Sequence, residues 1–459
     1  MTTSSRSAAR LSILALLLAG ALAPRAIASG FQLREQSPSA QGNAFAGVSA
    51  GGSDISGMFF NPAILTQFAS SEILAGISVV SPTTRLSGGA ATSVYGTTLG
   101  GPASTDNACS PTALPNLYAM WSLSPDLKVG LSLNAPFGMK TEYDSHFVGR
   151  YHALKSDLQI VDLSPTVAYR INHQWSVGAS FVARRTQAEL TNAVDFGTIL
   201  HAYGTTSGTL DGSASLEGTK WSYGYKLGAA YQPTEKLKLG LGYQSAIKVK
   251  LQGDVTFQLP TLPAQLTAGL QAQGFTAGGI YAEVNLPSTL SLGFDYKLDQ
   301  AVSLQGEVAR TDWSCFKELK INFTDNIAAG KTVQSSTTEE HWNDTWFVAL
   351  GATWKASQAW TFRTGVALDQ GATNDSFRTP RIPDADRKWV SLGAGYAASK
   401  HLSFDLAYTH IYVDKGNLDL KAVPAGYTPT TSPNTTKGNL SGTFDSKIDI
   451  FAASVRYTF

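Results

Sequence analysis

From Glu72 to Phe459 the chain repeats one unit: a run with apolar residues at every second position, a turn of a few residues, a second such run, then a long loop rich in Gly, Ser, Thr and Asn. In "LKLGLGYQSAIKVKLQGDVTF", odd positions from Leu237 to Phe257 carry Leu, Leu, Leu, Tyr, Ile, Val, Leu, Val and Phe, with Ser245 and Gly253 breaking the face. "WSYGYKLGAAY" sets Trp221, Tyr223, Tyr225, Leu227, Ala229 and Tyr231 on one side, and "TLSLGFDYKL" opposes Leu290, Leu292, Phe294, Tyr296 and Leu298 to Ser291, Gly293, Asp295 and Lys297. Period-two alternation of this kind predicts half-buried strands.

Strand length and polarity decide what the apolar face meets. Soluble sheets use strands of typically five or six residues, whereas these runs reach nine or more, the span a tilted strand needs to cross a bilayer. Asp295, Lys297, Arg363, Asp405 and Arg456 fall on the opposite face, as a polar lumen requires, and Trp175, Trp354, Trp360 and Tyr457 fall near strand ends, where aromatic girdles belong. Short connections are predicted at 124–128, 171–175, 232–236, 298–301, 355–359 and 397–401, and long ones at 82–115, 137–157, 190–219, 258–287, 324–344, 369–387 and 414–446. Those thirteen connections join fourteen strands. The ending "DIFAASVRYTF" supplies a terminal aromatic strand for closure onto the first strand, since an open edge cannot survive in lipid. The fold class is therefore all-β, a 14-stranded antiparallel transmembrane barrel.

The start of the chain adds two features. Arg6 and Arg10, the apolar run Leu11 to Ala23 and the A-x-A pattern Ala26-Ile27-Ala28 predict an export signal over residues 1–28. Residues 29–70 follow, too Gly-rich and short to fold alone, and are expected to form a hatch inside the barrel, which then occupies 71–459. "GMFFNPAILTQF" within that hatch is apolar yet broken at Asn61-Pro62, where proline removes a donor and restricts the residue before it. Composition agrees with a barrel: 43 Gly, 17 Tyr, 21 Phe and 9 Trp stand against 15% charged residues. A net charge of +1 offers no basic field for nucleic acid. The two cysteines, Cys109 and Cys315, suit free or buried thiols better than a disulfide framework.

Several ordered stretches carry a resemblance to a family: "GFQL" at Gly30 to Leu33, "NPA" at Asn61 to Ala63, "NAPFGMKTEYDSHFVGRY" at Asn134 to Tyr151, "NLP" at Asn285 to Pro287, "TDWSCF" at Thr311 to Phe316, then "WTFRTGVALDQ" and "IPDADRKWVSLGAGY". The mature chain resembles the outer-membrane transporters of long-chain fatty acids and other hydrophobic compounds, the FadL/TodX/OMPP1-type channels. The resemblance implies a fourteen-stranded barrel with an N-terminal hatch in the bacterial outer membrane, capturing a hydrophobe in an apolar lumen pocket near Phe31 and releasing it sideways through a gap. It attributes that gap to an inward kink of the third strand, here Asn134, Pro136 and Gly138, beside the hatch residues Asn61, Pro62 and Ala63. Basic side chains that hold a carboxylate in the fatty-acid transporters are absent from Leu190 to Asn192 and Thr337 to Glu340, which leaves Arg184, Arg185 or Lys320 as candidate substitutes.

Other readings compete. Phe31 serves equally as an anchor for the N-terminus, and Asn61-Pro62-Ala63 as a plain turn. Pro136 and Gly138 equally mark the end of a strand. His146 and His152 match no compact metal-ligand pair, and no G-x-S-x-G, phosphate loop or dinucleotide fingerprint is present, so neither an enzyme nor a cofactor or metal is expected. The function expected is passive uptake of a fatty acid or similar hydrophobe by a monomer surrounded by outer-membrane lipid and lipopolysaccharide. The alternatives are an importer of neutral hydrocarbons or a general diffusion porin.

Overall fold

The computed structural model describes residues 30–459, so the expected export signal lies outside the described residues. Nineteen hydrogen-bonded segments form a single antiparallel sheet that compose fourteen barrel strands, because five strands are interrupted once each. In chain order they are β1 Glu72–Thr92, β2 Thr112–Ser122, β3 Leu127–Glu142, β4 Lys155–Arg170, β5 Trp175–Asp195, β6 Asp211–Tyr231 and β7 Leu237–Gln244 continuing as Ile247–Gln258. The remainder are β8 Gly278–Leu286 and Thr289–Lys297, β9 Val302–Thr311 and Glu318–Phe323, β10 Ser335–Glu339 and Thr345–Lys355, β11 Trp360–Asp369, β12 Arg387–Ala397, β13 Leu402–Val413 and Gly416–Leu420, and β14 Asn439–Thr458. Glu72 stands opposite Met120 of β2 on one side and Thr458 of β14 on the other, so the first strand pairs with the last and closes the barrel.

The alternation sorts faces as expected. Leu292 is 55% exposed toward lipid while its neighbour Ser291 is buried, and Phe451 and Leu406 lie outward while Asp405 faces the lumen. Trp175, Trp354, Trp360 and Tyr457 are exposed beside the short turns, and Trp221, Tyr223, Trp346 and Tyr412 form the opposite girdle.

Two expectations are corrected. The strands on the long-loop side run farther than the pattern suggested: β1 continues to Thr92 opposite Asn439, and β3 continues past Pro136 to Glu142. Above the membrane both sheet faces meet water or loops, so these segments need no strict alternation to pair. The run from Leu237 to Phe257 is also two faces instead of one. Lys226 opposes Gln244, but Thr219 opposes Gln252, a slip of one residue in β7 at Ser245-Ala246. A one-residue bulge exchanges the faces of everything beyond it. Leu241 is 45% exposed to lipid, whereas Ile247, 3% exposed, points into the barrel.

Residues 30–71 fill the lumen with three short turns, Pro38–Gln41, Ile55–Phe59 and Pro62–Gln67, each capped by a side chain (Ser37, Asp54 and Asn61). Phe45, Ile55, Met58, Phe60 and Leu65 pack against Leu74, Tyr118, Phe347, Trp389 and Ile450 of the wall, so the core of this segment is borrowed from the barrel. Wall glycines allow the approach: a Cβ at Gly228, Gly240 or Gly365 would overlap Asn61, Ser49 or Asn43. Polar pins add direction, among them Ser49 Oγ donating to Glu307, and Arg363, itself paired with Asp405 at 2.8 Å, donating to Ser53.

Leu292→Arg tests the outward assignment. It should destabilise membrane insertion by about 2 to 4 kcal/mol, measured by urea titration of folding into vesicles. Unchanged stability would mean that this position does not face hydrocarbon.

Candidate functional site

The barrel wall has a gap. β2 pairs with β3 only from Leu117–Ser122 against Leu133–Lys128; beyond, Thr112 to Asn116 stay with β1 and β3 departs with β4. The departure starts at a one-residue bulge between Asn134 and Phe137, where Pro136 has no N–H to offer a neighbour. The lipid-facing Leu117, Leu131 and Leu163 border its lower margin.

The hatch supplies what β2 withholds. Gln36 donates from Nε2 to Ala135 O at 2.7 Å and accepts from Ala135 N–H at 3.2 Å. Leu33 N–H donates to Pro136 O at 2.9 Å, and Gly138 N–H to Phe31 O at 3.1 Å. Asn134 Nδ2 donates to Tyr118 Oη at 2.6 Å, and Tyr118 donates in turn to Gln36 O at 2.5 Å. Residues 31–36 thus run beside the kinked segment as a substitute strand.

Asn61 does not fill this role, contrary to the sequence expectation. Its carboxamide donates to Ser49 O at 2.6 Å and Ala229 O at 2.9 Å, and its Oδ1 accepts from Ala63 N–H at 3.0 Å. Pro62 and Ala63 lie on Gly178 of β5 and Gly228 of β6, so the broken motif fixes the hatch to a stretch of wall two strands from the kink.

Behind the gap is a cavity of 660 Å³ whose walls include Phe31, Leu33, Leu114, Phe137, Met139, Ile160 and Ile382. Val161, 42% exposed on the lipid side, also borders it, so one continuous space runs from the hatch to the outer face of the wall. Phe31 lines the cavity and anchors the N-terminal segment, with ring centroids 4.8 Å from Trp313, 5.6 Å from Trp342 and 6.0 Å from Phe137.

The basic candidates are not brought to the cavity. Arg184 is buried and bonded twice to Asp162, each at 2.7 Å, with its guanidinium over the Phe137 ring. Lys320 is exposed on the upper part of β9, and Arg185 is exposed on β5. A strand places alternate residues on opposite faces, and a buried cation takes the nearest carboxylate, neither of which is visible in a list of basic positions. Sequence reasoning missed Gln36, which only the bulge makes important, and the Asp384–Arg387 pair. "IPDADRK" drew notice as a motif but carried no role. Arg387 donates to Asp384 Oδ1 at 2.9 Å and Gly30 O at 3.1 Å, while Asp384 Oδ2 accepts from Gly30 N–H at 2.8 Å.

Long loops roof the cavity with buried charge. Trp342 donates to Glu340 at 2.8 Å, Lys437 donates to Thr337 O at 2.7 Å, and Arg381 donates to Lys155 O and Ser156 Oγ. Burial pushes Glu340 up to about 8 and Lys437 down to about 8. His152 is held down at about 3, by burial first and then by the charge of Lys437. Cys109 and Cys315 are free thiols.

A family model described as "Outer membrane protein transport protein (OMPP1/FadL/TodX)" matches residues 19–459. The chain is 29% identical over 405 residues to the long-chain fatty acid transport protein of Salmonella typhi, covering 85% of this chain and 89% of that one. It is 30% identical over 433 residues to the 47 kDa outer membrane protein of Pasteurella multocida, covering 91% and 95%. Among solved structures, a Pseudomonas aeruginosa FadL homologue superimposes with a TM-score of 0.83 at 24% identity over 94% of this chain and all of the other. The Ralstonia pickettii toluene transporter TbuX follows at 0.64 and 18%, covering 94% and 99%. Both likenesses show the shared fold.

Gln36→Ala should leave the N–H and C=O of Ala135 without partners, at about 1 to 3 kcal/mol for each group left buried, and should speed amide exchange at Ala135 and Gly138. Unaltered exchange there would remove the hatch from the kink's support. Acid should loosen the roof. The opened loop binds a proton on His152 below its ordinary pKa of about 6.5 and the closed one does not until about 3, so closure weakens as pH falls through that window. Amide exchange over residues 143–154, corrected for its intrinsic pH dependence, should rise on acidification, and His152→Gln should flatten the response.

Proposed function

The chain belongs to the OMPP1/FadL/TodX family of outer-membrane transport proteins, and from that premise we propose that it imports hydrophobic molecules passively, holding them in the cavity behind β3 and releasing them sideways into the bilayer. The observation that carries this reading is the continuity of an apolar cavity with an unpaired stretch of wall, Thr112 to Asn116 against Asn134 to Glu142. Its volume of 660 Å³ suits a small apolar ligand or a long chain. Burying each methylene gains about 0.8 kcal/mol, and the bilayer offers the same gain at exit. Transfer through the gap therefore runs close to level in free energy and calls for no energy source.

A diffusion porin would keep a water-filled lumen. Here the hatch closes it with buried apolar side chains from Phe45 to Leu65. The barrel acts as a monomer, each copy having its own cavity and gap, with lipid and lipopolysaccharide covering the apolar band. Long-chain fatty acids and neutral hydrocarbons both fit the apolar walls.

Replacing Pro136 with Val and Gly138 with Thr restores a backbone donor and adds a side chain that meets Leu33, which should straighten β3 and close the gap. Uptake of a hydrophobe by cells carrying that double variant should collapse while the heat-modifiable barrel band stays normal. Uptake at the parental rate would overturn lateral release, and rapid sugar flux in a liposome-swelling assay of the parent would overturn the importer itself.

A further inference from the structure

On the reading that cargo leaves sideways through the gap, we infer that Arg185 receives the carboxylate of a departing fatty acid on the outer face of the wall and holds it at the membrane surface while the tail enters the bilayer. The inward turn of β3 between Asn134 and Phe137 opens the space as far as β4, where Val161 is both lipid-facing and part of the cavity's border. Arg185 of β5 is the residue opposite Val161 in the ladder, and it is exposed. Residues so paired have Cβ atoms about 5 Å apart. A guanidinium therefore stands at the rim of the opening, outside the barrel.

Its depth suits a headgroup. The outward positions of β5 read Val177, Ala179, Phe181 and Ala183 and then turn polar at Arg185 and Gln187; on β4 they read Val167, Leu163 and Val161 and turn polar at Gln159. Trp221 of the outer girdle opposes Arg185 on β6. That rung is the upper limit of the apolar band, where a cation costs little. Among the described residues the Arg185 guanidinium enters no ion pair or hydrogen bond, whereas the cations around it are committed. Arg184, facing inward, is bonded to Asp162 at 2.7 Å, Lys155 to Glu189 at 2.6 Å and Arg387 to Asp384 at 2.9 Å. Lys140, at the mouth, stands opposite Asp157 in the ladder. The other margin of the gap, Thr112 to Leu117, carries no charge. An ionised headgroup is least solvated as it crosses this apolar rim. A guanidinium placed there offers it two parallel N–H groups and lowers the barrier to leaving, while an uncharged headgroup gains much less.

Initial rates of uptake of radiolabelled oleate and oleyl alcohol, in cells whose only long-chain importer is this protein, test the assignment. Arg185→Gln should slow oleate about fivefold and change the alcohol by less than about twofold, with the heat-modifiable barrel band normal. Arg185→Lys keeps the charge and should retain at least about half of the oleate rate. Oleate uptake that Arg185→Gln leaves at the parental rate would overturn the proposal. Equal slowing of acid and alcohol would overturn it too, by showing that Arg185 acts on the barrel or on the phosphates of surrounding glycolipid instead of on the cargo. So would a parent protein that imports the alcohol and not oleate. A parent that imports neither would instead overturn hydrophobe import through the gap, and this inference with it.

Discussion

Hydrocarbon tolerates no unpaired backbone, and the whole arrangement around β3 follows from that constraint. A gap in a membrane barrel exposes two rows of N–H and C=O groups, each costing several kcal/mol if left without partners. β2 keeps its ladder with β1 and β3 its ladder with β4, so each leaves one edge toward the gap, and the edge of β3 is the one the hatch meets. Pro136 removes one donor from that edge outright, and Phe31 to Gln36 bond Ala135 N–H and C=O, Pro136 C=O and Gly138 N–H. The gap exists because the hatch is there; a barrel of the same sequence without residues 31–36 would have to close β3 onto β2 or leave buried polar groups bare.

The hatch depends on the wall just as fully. Its turns are too short to be stable in isolation, and its apolar residues have little to bury against except wall side chains. Glycines on β5, β6, β7 and β11 bring its backbone within contact of the sheet, and Asn61, rigidly preceded and followed by capped turns, fixes one end to β6. Phe31 fixes the other end among Trp313, Phe316 and Trp342. Between those anchors the chain is positioned to within hydrogen-bonding precision of β3.

Much of this architecture was legible in the sequence because a bilayer imposes a strong pattern. Strand number, the six tight turns, the outward Leu292 and Phe451 and the polar Asp405 follow from period two alone. What escaped were departures of a single residue. The single polar break at Ser245 does not by itself distinguish a bulge from a substitution within one face, so Ile247 and Val249 read as lipid-facing when they point inward. The site escaped for a related reason. Gln36 matters only because a bulge freed Ala135, and Arg184 fails as a ligand group only because Asp162 stands across the ladder from it. Such pairings are set by register, which residue identity alone does not reveal.

The bulges also explain how one apolar pattern serves two solvents. In β3, Leu131 faces lipid and Phe137, of the same parity, lines the cavity; in β7, Leu241 faces lipid and Ile247 turns inward. Each strand inserts one residue between the two members of its pair, so the hydrophobic face that meets the bilayer below becomes the wall of an interior apolar space above. The polar face is exchanged as well, which places Lys248 and Lys250 outside, in water above the membrane. A straight barrel with the same composition would have a polar lumen over its full height and no place to hold a hydrophobe. The insertion in β3 therefore has two effects at one position: it frees the backbone that makes the gap, and it turns Phe137 and Met139 inward to line the space the gap drains.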